Sequence, residues 1–142
     1  MKSTNVYLTF DGNCDQAIKF YEKCLGGKAN VITFAQAPPM PGCSELPADA
    51  KNRIMHAHLQ VGPLVLMASD TMPGQPFTAG NNFMINLNCD DEQEVDRLFN
   101  AIGDGGHAIM PPGETFWAKR FGMLTDKFGI DWMLNYDKNP RK

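Results

Sequence analysis

Apolar residues recur along this chain with two spacings, and the two alternate. Val6 to Phe10 reads as a strand that ends at the turn Asp11-Gly12. Ala17, Phe20, Tyr21, Cys24 and Leu25 then fall at i, i+3, i+4, i+7 and i+8, one face of a helix. Asn13 is placed to cap that helix, with Gln16 three residues on to complete a capping box, and Gly26-Gly27 ends it. Lys28 to Phe34 reads as a second strand, and Ile54 to Asp70 as two more joined at Gly62.

The same order returns later in the chain. An offset of 78 residues carries Asn13 onto Asp91 and Gln16 onto Glu94, and Ala17, Phe20, Tyr21 and Cys24 onto Val95, Leu98, Phe99 and Ile102. Phe83 to Cys89 then matches the first strand, His107 to Met110 the second, and Gly105 falls on Gly27. An offset of 67 aligns Ile54 to Asp70 with Phe121 to Asp137, placing Gly62 on Gly129. The pattern predicts a duplicated unit of strand, helix and three strands: a first module over 1–70, a linker over 71–81 and a second module over 82–142. Gln36 to Asn52, rich in proline and without periodicity, reads as a lid or surface excursion.

The stretch Gly113 to Leu134 is the densest in aromatic residues, and it reads as a hairpin turning at Asp126-Lys127-Phe128-Gly129. Aromatics and charges alternate within it, so one face suits a core and the other a site. Composition narrows the function further. A formal net charge of −3 with mixed signs gives no basic footprint for nucleic acid or anionic lipid. Apolar runs such as Leu64 to Ala68 are too short to span a bilayer, and the first ten residues lack a signal-peptide core, so a soluble cytoplasmic protein is expected. Cys14, Cys24, Cys43 and Cys89 show no zinc-finger spacing and read as reduced thiols.

YLTFDGNCDQAIKFYEKCLGG, HAHLQVGPLVLMASDTMPG and ETFWAKRFGMLTDKFGIDWML together resemble the signature segments of the PhnB-like branch of the vicinal oxygen chelate superfamily, across nearly the whole chain. That superfamily includes glyoxalases, fosfomycin and bleomycin resistance proteins and extradiol dioxygenases. The resemblance implies an α+β fold: two tandem βαβββ modules whose curved mixed sheets form half-barrels around a cleft, with helices outside. It also implies a small-molecule ligand and a homodimer, with modules swapped or side by side. A demethylubiquinone methyltransferase name is sometimes attached to this branch. No Gly-rich nucleotide turn opening a doubly wound sheet is present, which counts against that chemistry.

Metal-bearing members take ligands from the first and last strands of each module. Those positions fall near Val6, Leu66, Met84 and Met133, none of which is a ligand for a hard divalent ion. Three readings follow. The chain binds a small molecule in the cleft and is catalytic with a non-standard or absent metal; or it sequesters a ligand without metal; or it is a divalent-metal lyase, isomerase or dioxygenase using Zn, Mn, Fe or Ni. His56 is the candidate catalytic residue and metal ligand, with Glu114 beside it in both roles. His58, Trp117, Lys119, Phe121 and Tyr7 are the candidate ligand-binding residues. His56 and His58 share a strand face with Ile54 and Gln60 on strict alternation, with Trp117, Lys119 and Phe121 the matching face of the second module. A solvated strand face is the plain alternative for the two histidines, and a solvated loop for Glu114. Trp132 reads as core, and Asp70 and Asp137 as strand-end caps. Cys14 lies in a first helical turn, where the dipole lowers a thiol pKa.

Overall fold

The computed structural model describes residues 1–37, 50–72 and 74–139. Most of the proline-rich segment read as a lid lies outside these residues. The chain divides into two compact units, Met1–Thr78 and Ala79–Lys142.

The first unit contains β1 (Val6–Phe10), α1 (Cys14–Leu25), β2 (Lys28–Thr33), β3 (Ile54–Val61) and β4 (Leu64–Asp70). Its sheet has the order β1-β4-β3-β2, with β1 parallel to β4 and the other pairs antiparallel. The second unit repeats this with β5 (Ile85–Asn88), α2 (Glu92–Ile102), β6 (His107–Gly113), β7 (Ala118–Thr125) and β8 (Asp131–Asp137), in the order β5-β8-β7-β6. The α+β class and the tandem βαβββ arrangement expected from the sequence are therefore present. No described helix is long and apolar enough to cross a membrane.

Each unit has its own core between one helix and one sheet face. Leu8, Phe10, Ala57, Leu59, Leu66 and Ala68 are buried beneath Ala17, Ile18, Tyr21 and Cys24 of α1. Ile85, Leu124, Trp132 and Leu134 are buried beneath Val95, Leu98 and Ile102 of α2. Trp132 is fully buried, as its flanking apolar alternation requires. The opposite faces hold Tyr7, His56 and His58 in the first sheet and Trp117 and Phe121 in the second.

The helix starts differ from the sequence reading in one respect. Asp91 caps α2 as expected, its Oδ1 accepting the Glu94 amide at 2.7 Å. Asn13 stands at the N-cap of α1 but makes no side-chain cap bond. Asp70, at the end of β4, takes that role: its Oδ1 accepts from Gly12 N at 2.8 Å and Cys14 N at 3.0 Å, and its Oδ2 from Ile54 N at 2.8 Å. One buried carboxylate thus ties the start of the helix to two strands, which no local spacing could reveal.

The duplication is real in topology but not at a constant offset. In the first unit the β3–β4 hairpin turns over two residues, Val61 pairing with Leu64; in the second, Thr125 pairs with Asp131 across five. The offset of 67 therefore puts fully buried Leu66 on Met133, which faces away from α2. By pairing with the first strand, the outward partner of Met133 is Met67: Tyr7 pairs with Met67 as Asn86 pairs with Met133. Likewise the offset of 78 carries buried Leu8 onto exposed Asn86, one residue out of step.

Candidate functional site

On the face of the first sheet turned away from α1, β-pairing sets Tyr7, Met67, His58 and Asn30 in one row across four strands. His56 lies two residues from His58 on β3, and its ring is 6.0 Å from that of Tyr7. His56 and His58 therefore share a face as the sequence suggested, and Tyr7 lies on it too. Ile54 does not: β2 pairs Ile32 with His56 and Thr33 with Ile54, leaving Met55 as the extra residue of a bulge. The bulge breaks the alternation and turns Ile54 into the core, where it is 2% exposed.

On the corresponding face of the second sheet, Asn135 is the hub. Its Oδ1 accepts from Trp117 Nε1 at 3.1 Å, and its Nδ2 donates to Asn88 Oδ1 at 3.2 Å and to Asp137 Oδ1 at 2.7 Å. Asn86 Nδ2 also donates to Asn88 Oδ1, at 3.2 Å. Trp117 meets Phe121 edge-to-face at 5.1 Å and Phe116 at 4.8 Å. The indole is thus held at its nitrogen and along its ring, yet remains 40% exposed. Asn86, Asn88 and Asn135 were not singled out from sequence. The alternating Asn in Ile85-Asn86-Leu87-Asn88 was the available signal.

Lys119 does not join Trp117 and Phe121. It is the extra residue of a second bulge, between Ala118 paired with Asp137 and Arg120 paired with Tyr136. Its ammonium sits over the Tyr136 ring at 5.4 Å, beside Arg120, which reaches Asp96 of α2 at 2.8 Å. Glu114 is exposed and ion-paired with Lys138 at 3.1 Å.

Several conspicuous polar residues have structural duties. Asp126 accepts from Phe128 N at 2.8 Å, Ile130 N at 3.1 Å and Trp132 Nε1 at 2.9 Å, so the TDKFG run is a turn that anchors the core tryptophan. Cys14 is buried, and the loss of solvent, followed by the charges of Asp70 and Asp15, pushes its thiol up to about 12. The lowering expected from the helix start is outweighed. Cys89 is raised to about 11, by burial first and then by Glu94.

Metal-bearing members of the superfamily draw ligands from the first and last strands. The outward residues there are Tyr7 with Met67 and Asn86 with Met133. Two thioethers, a phenol and a single carboxamide, with neither carboxylate nor imidazole among them, supply too few suitable donors for a hard or borderline divalent ion. Among the described residues, no group of three or more His, Cys, Asp or Glu side chains could hold a metal.

Two four-stranded βαβββ sheets, each with a polar and aromatic face opposite its helix, define a vicinal oxygen chelate fold. A domain of the glyoxylase/bleomycin resistance protein/dioxygenase class from Frankia sp. EAN1pec shares it, with a TM-score of 0.67 at 14% identity over 97% of this chain and 98% of that one. The family described as 3-demethylubiquinone-9 3-methyltransferase matches residues 2–135, and this chain belongs to it; a PhnB protein from Bacillus cereus shares the fold, with a TM-score of 0.71 at 23% identity over 95% of this chain and 99% of that one. Protein PA1353 from Pseudomonas aeruginosa is 42% identical, with a TM-score of 0.83 over 96% of this chain and 100% of that one. Protein YjdN from Escherichia coli (strain K12) is 35% identical, covering 93% of each chain.

Proposed function

We propose that this protein binds a small organic molecule on the face of its second sheet turned away from α2, with Trp117 as the anchor. The observation that carries this reading is the half-exposed Trp117 fixed by Asn135 and Phe121. A rigid indole costs little entropy to stack against a ligand, and the carboxamides of Asn86 and Asn88 beside it offer N–H donors toward solvent. Met123 and Met133, paired across β7 and β8 on the same face, add an adaptable apolar floor. Recognition of this kind needs no metal, so a binding or sequestering protein is favoured over a divalent-metal lyase or dioxygenase.

The test is native mass spectrometry of gently purified protein, followed by titration of tryptophan fluorescence with bleomycin and a panel of aromatic amides. Trp132 is buried and serves as the internal reference. A quench of the exposed emission that disappears in Trp117→Phe, with calorimetric affinity lowered on the order of tenfold in Asn88→Ala, supports the reading. Absence of both a co-purifying molecule and any response at Trp117 would remove it. The homodimer is tested separately by sedimentation, where a monomer at micromolar concentration counts against it.

A further inference from the structure

We propose that the outward face of the first unit is a soft-metal site, in which His56, His58 and Met67 bind one monovalent copper or silver ion. Three observations support it. His56 and His58 lie on one face of β3, because the bulge at Met55 precedes them and alternation is regular from His56 onward. Met67 is the cross-strand partner of His58, which puts a thioether beside the imidazoles. Tyr7, the partner of Met67 on β1, has its ring 6.0 Å from that of His56, confirming that the four side chains occupy the same side of the sheet.

Chemistry selects the ion. Two imidazoles and a thioether form a neutral donor set of three, with no carboxylate in the row to favour calcium, magnesium or manganese. Thioether sulfur is a poor ligand for zinc and a good one for Cu(I) and Ag(I), which accept low coordination numbers. The pair spacing matters as well. Residues i and i+2 on a strand stand roughly 6–7 Å apart at Cα, within reach of two imidazoles closing on one ion. Directly opposed cross-strand side chains are nearer still, with Cβ atoms about 5 Å apart. The site lies wholly within the first unit.

The experiment is a competition titration of the full chain with Cu(I) against bicinchoninate, and with Ag(I), under anaerobic conditions. Copper K-edge absorption then reads the donor atoms. Because thiols also bind Cu(I), the wild-type chain and Cys43→Ser are run in parallel. The expected result is one ion per chain in both, with a mixed nitrogen and sulfur shell. His56→Ala and His58→Ala should each weaken it on the order of tenfold or more, at least what loss of an outer-shell partner costs. Met67→Leu preserves volume and should lower Cu(I) affinity while removing sulfur from the shell. Loss of binding in Cys43→Ser, an all-sulfur shell, or unchanged affinity in the His56→Ala/His58→Ala double variant would each overturn the proposal.

Discussion

Asp126 shows how a residue in a conspicuous motif can be spent on structure. Its carboxylate, 3% exposed, holds two loop amides and the indole of a fully buried tryptophan. Asp126→Ala strands those donors, so the expected loss is about 2–4 kcal/mol, seen as a lower urea midpoint with unchanged slope. A change within 0.5 kcal/mol would show that water replaces the carboxylate without cost. Cys14 gives a prediction of opposite kind. Its folded-state pKa, near 12, lies above the unfolded value of 9.0, so the native state holds its proton longer. The stability this contributes is complete below pH 9.0 and is lost as pH rises toward 12. Cys14→Ala should therefore flatten the alkaline limb of the stability curve, and in the wild-type chain a thiol reagent at neutral pH should reach Cys14 only on unfolding. Trp132 as core was legible from alternation alone. The burial that dominates Cys14 was not, because it depends on strands distant in sequence.

Elements were read well where periodicity is local and less well where a tertiary partner or an inserted residue intervenes. Both helices, the succession of strands along each unit and the glycine stop after α1 follow from spacing; the order of strands within each sheet does not. Gly26 and Gly27 have φ of 85° and 81°, and a Cβ at Gly27 would collide with the Gln60 carbonyl, so only glycine leaves α1 in this way. The bulges at Met55 and Lys119 were invisible, since one extra residue leaves composition unchanged while flipping every side chain beyond it. That is why Ile54 and Lys119 were assigned to faces they do not occupy, whereas His56, His58 and Phe121 were placed correctly. The caps give a paired test. Asn13→Ala should be within 0.5 kcal/mol of neutral, since its side chain caps nothing. Asp70→Ala should cost about 3 kcal/mol by freeing amides of Gly12, Cys14 and Ile54. Chemical denaturation of the two variants in parallel reads the difference, and equal costs would refute the assignment of the cap.

At the scale of the molecule, duplication explains the architecture but says little about chemistry. Each copy supplies a sheet face, and the faces have diverged: imidazole and thioether in one, carboxamide and indole in the other. The family's description names a methyl transfer, which requires a methyl donor to be held. Nucleotide-like donors are commonly held at the carboxyl ends of strands in a doubly wound parallel sheet, at a Gly-rich turn before a helix. In each unit here the parallel pair is the first and last strand, and the remaining pairs are antiparallel. The turn into α1 is occupied by the Asp70 carboxylate, whose negative charge opposes a second anionic group at the same amides. S-adenosylmethionine is therefore expected not to stabilise the protein. A donor present at a hundred times its dissociation constant would add about 2.7 kcal/mol and raise the melting temperature by roughly 10 °C for a chain of this size. A thermal melt with millimolar S-adenosylmethionine should move by less than 1 °C, whereas a shift approaching the larger figure would restore methyl transfer as the function.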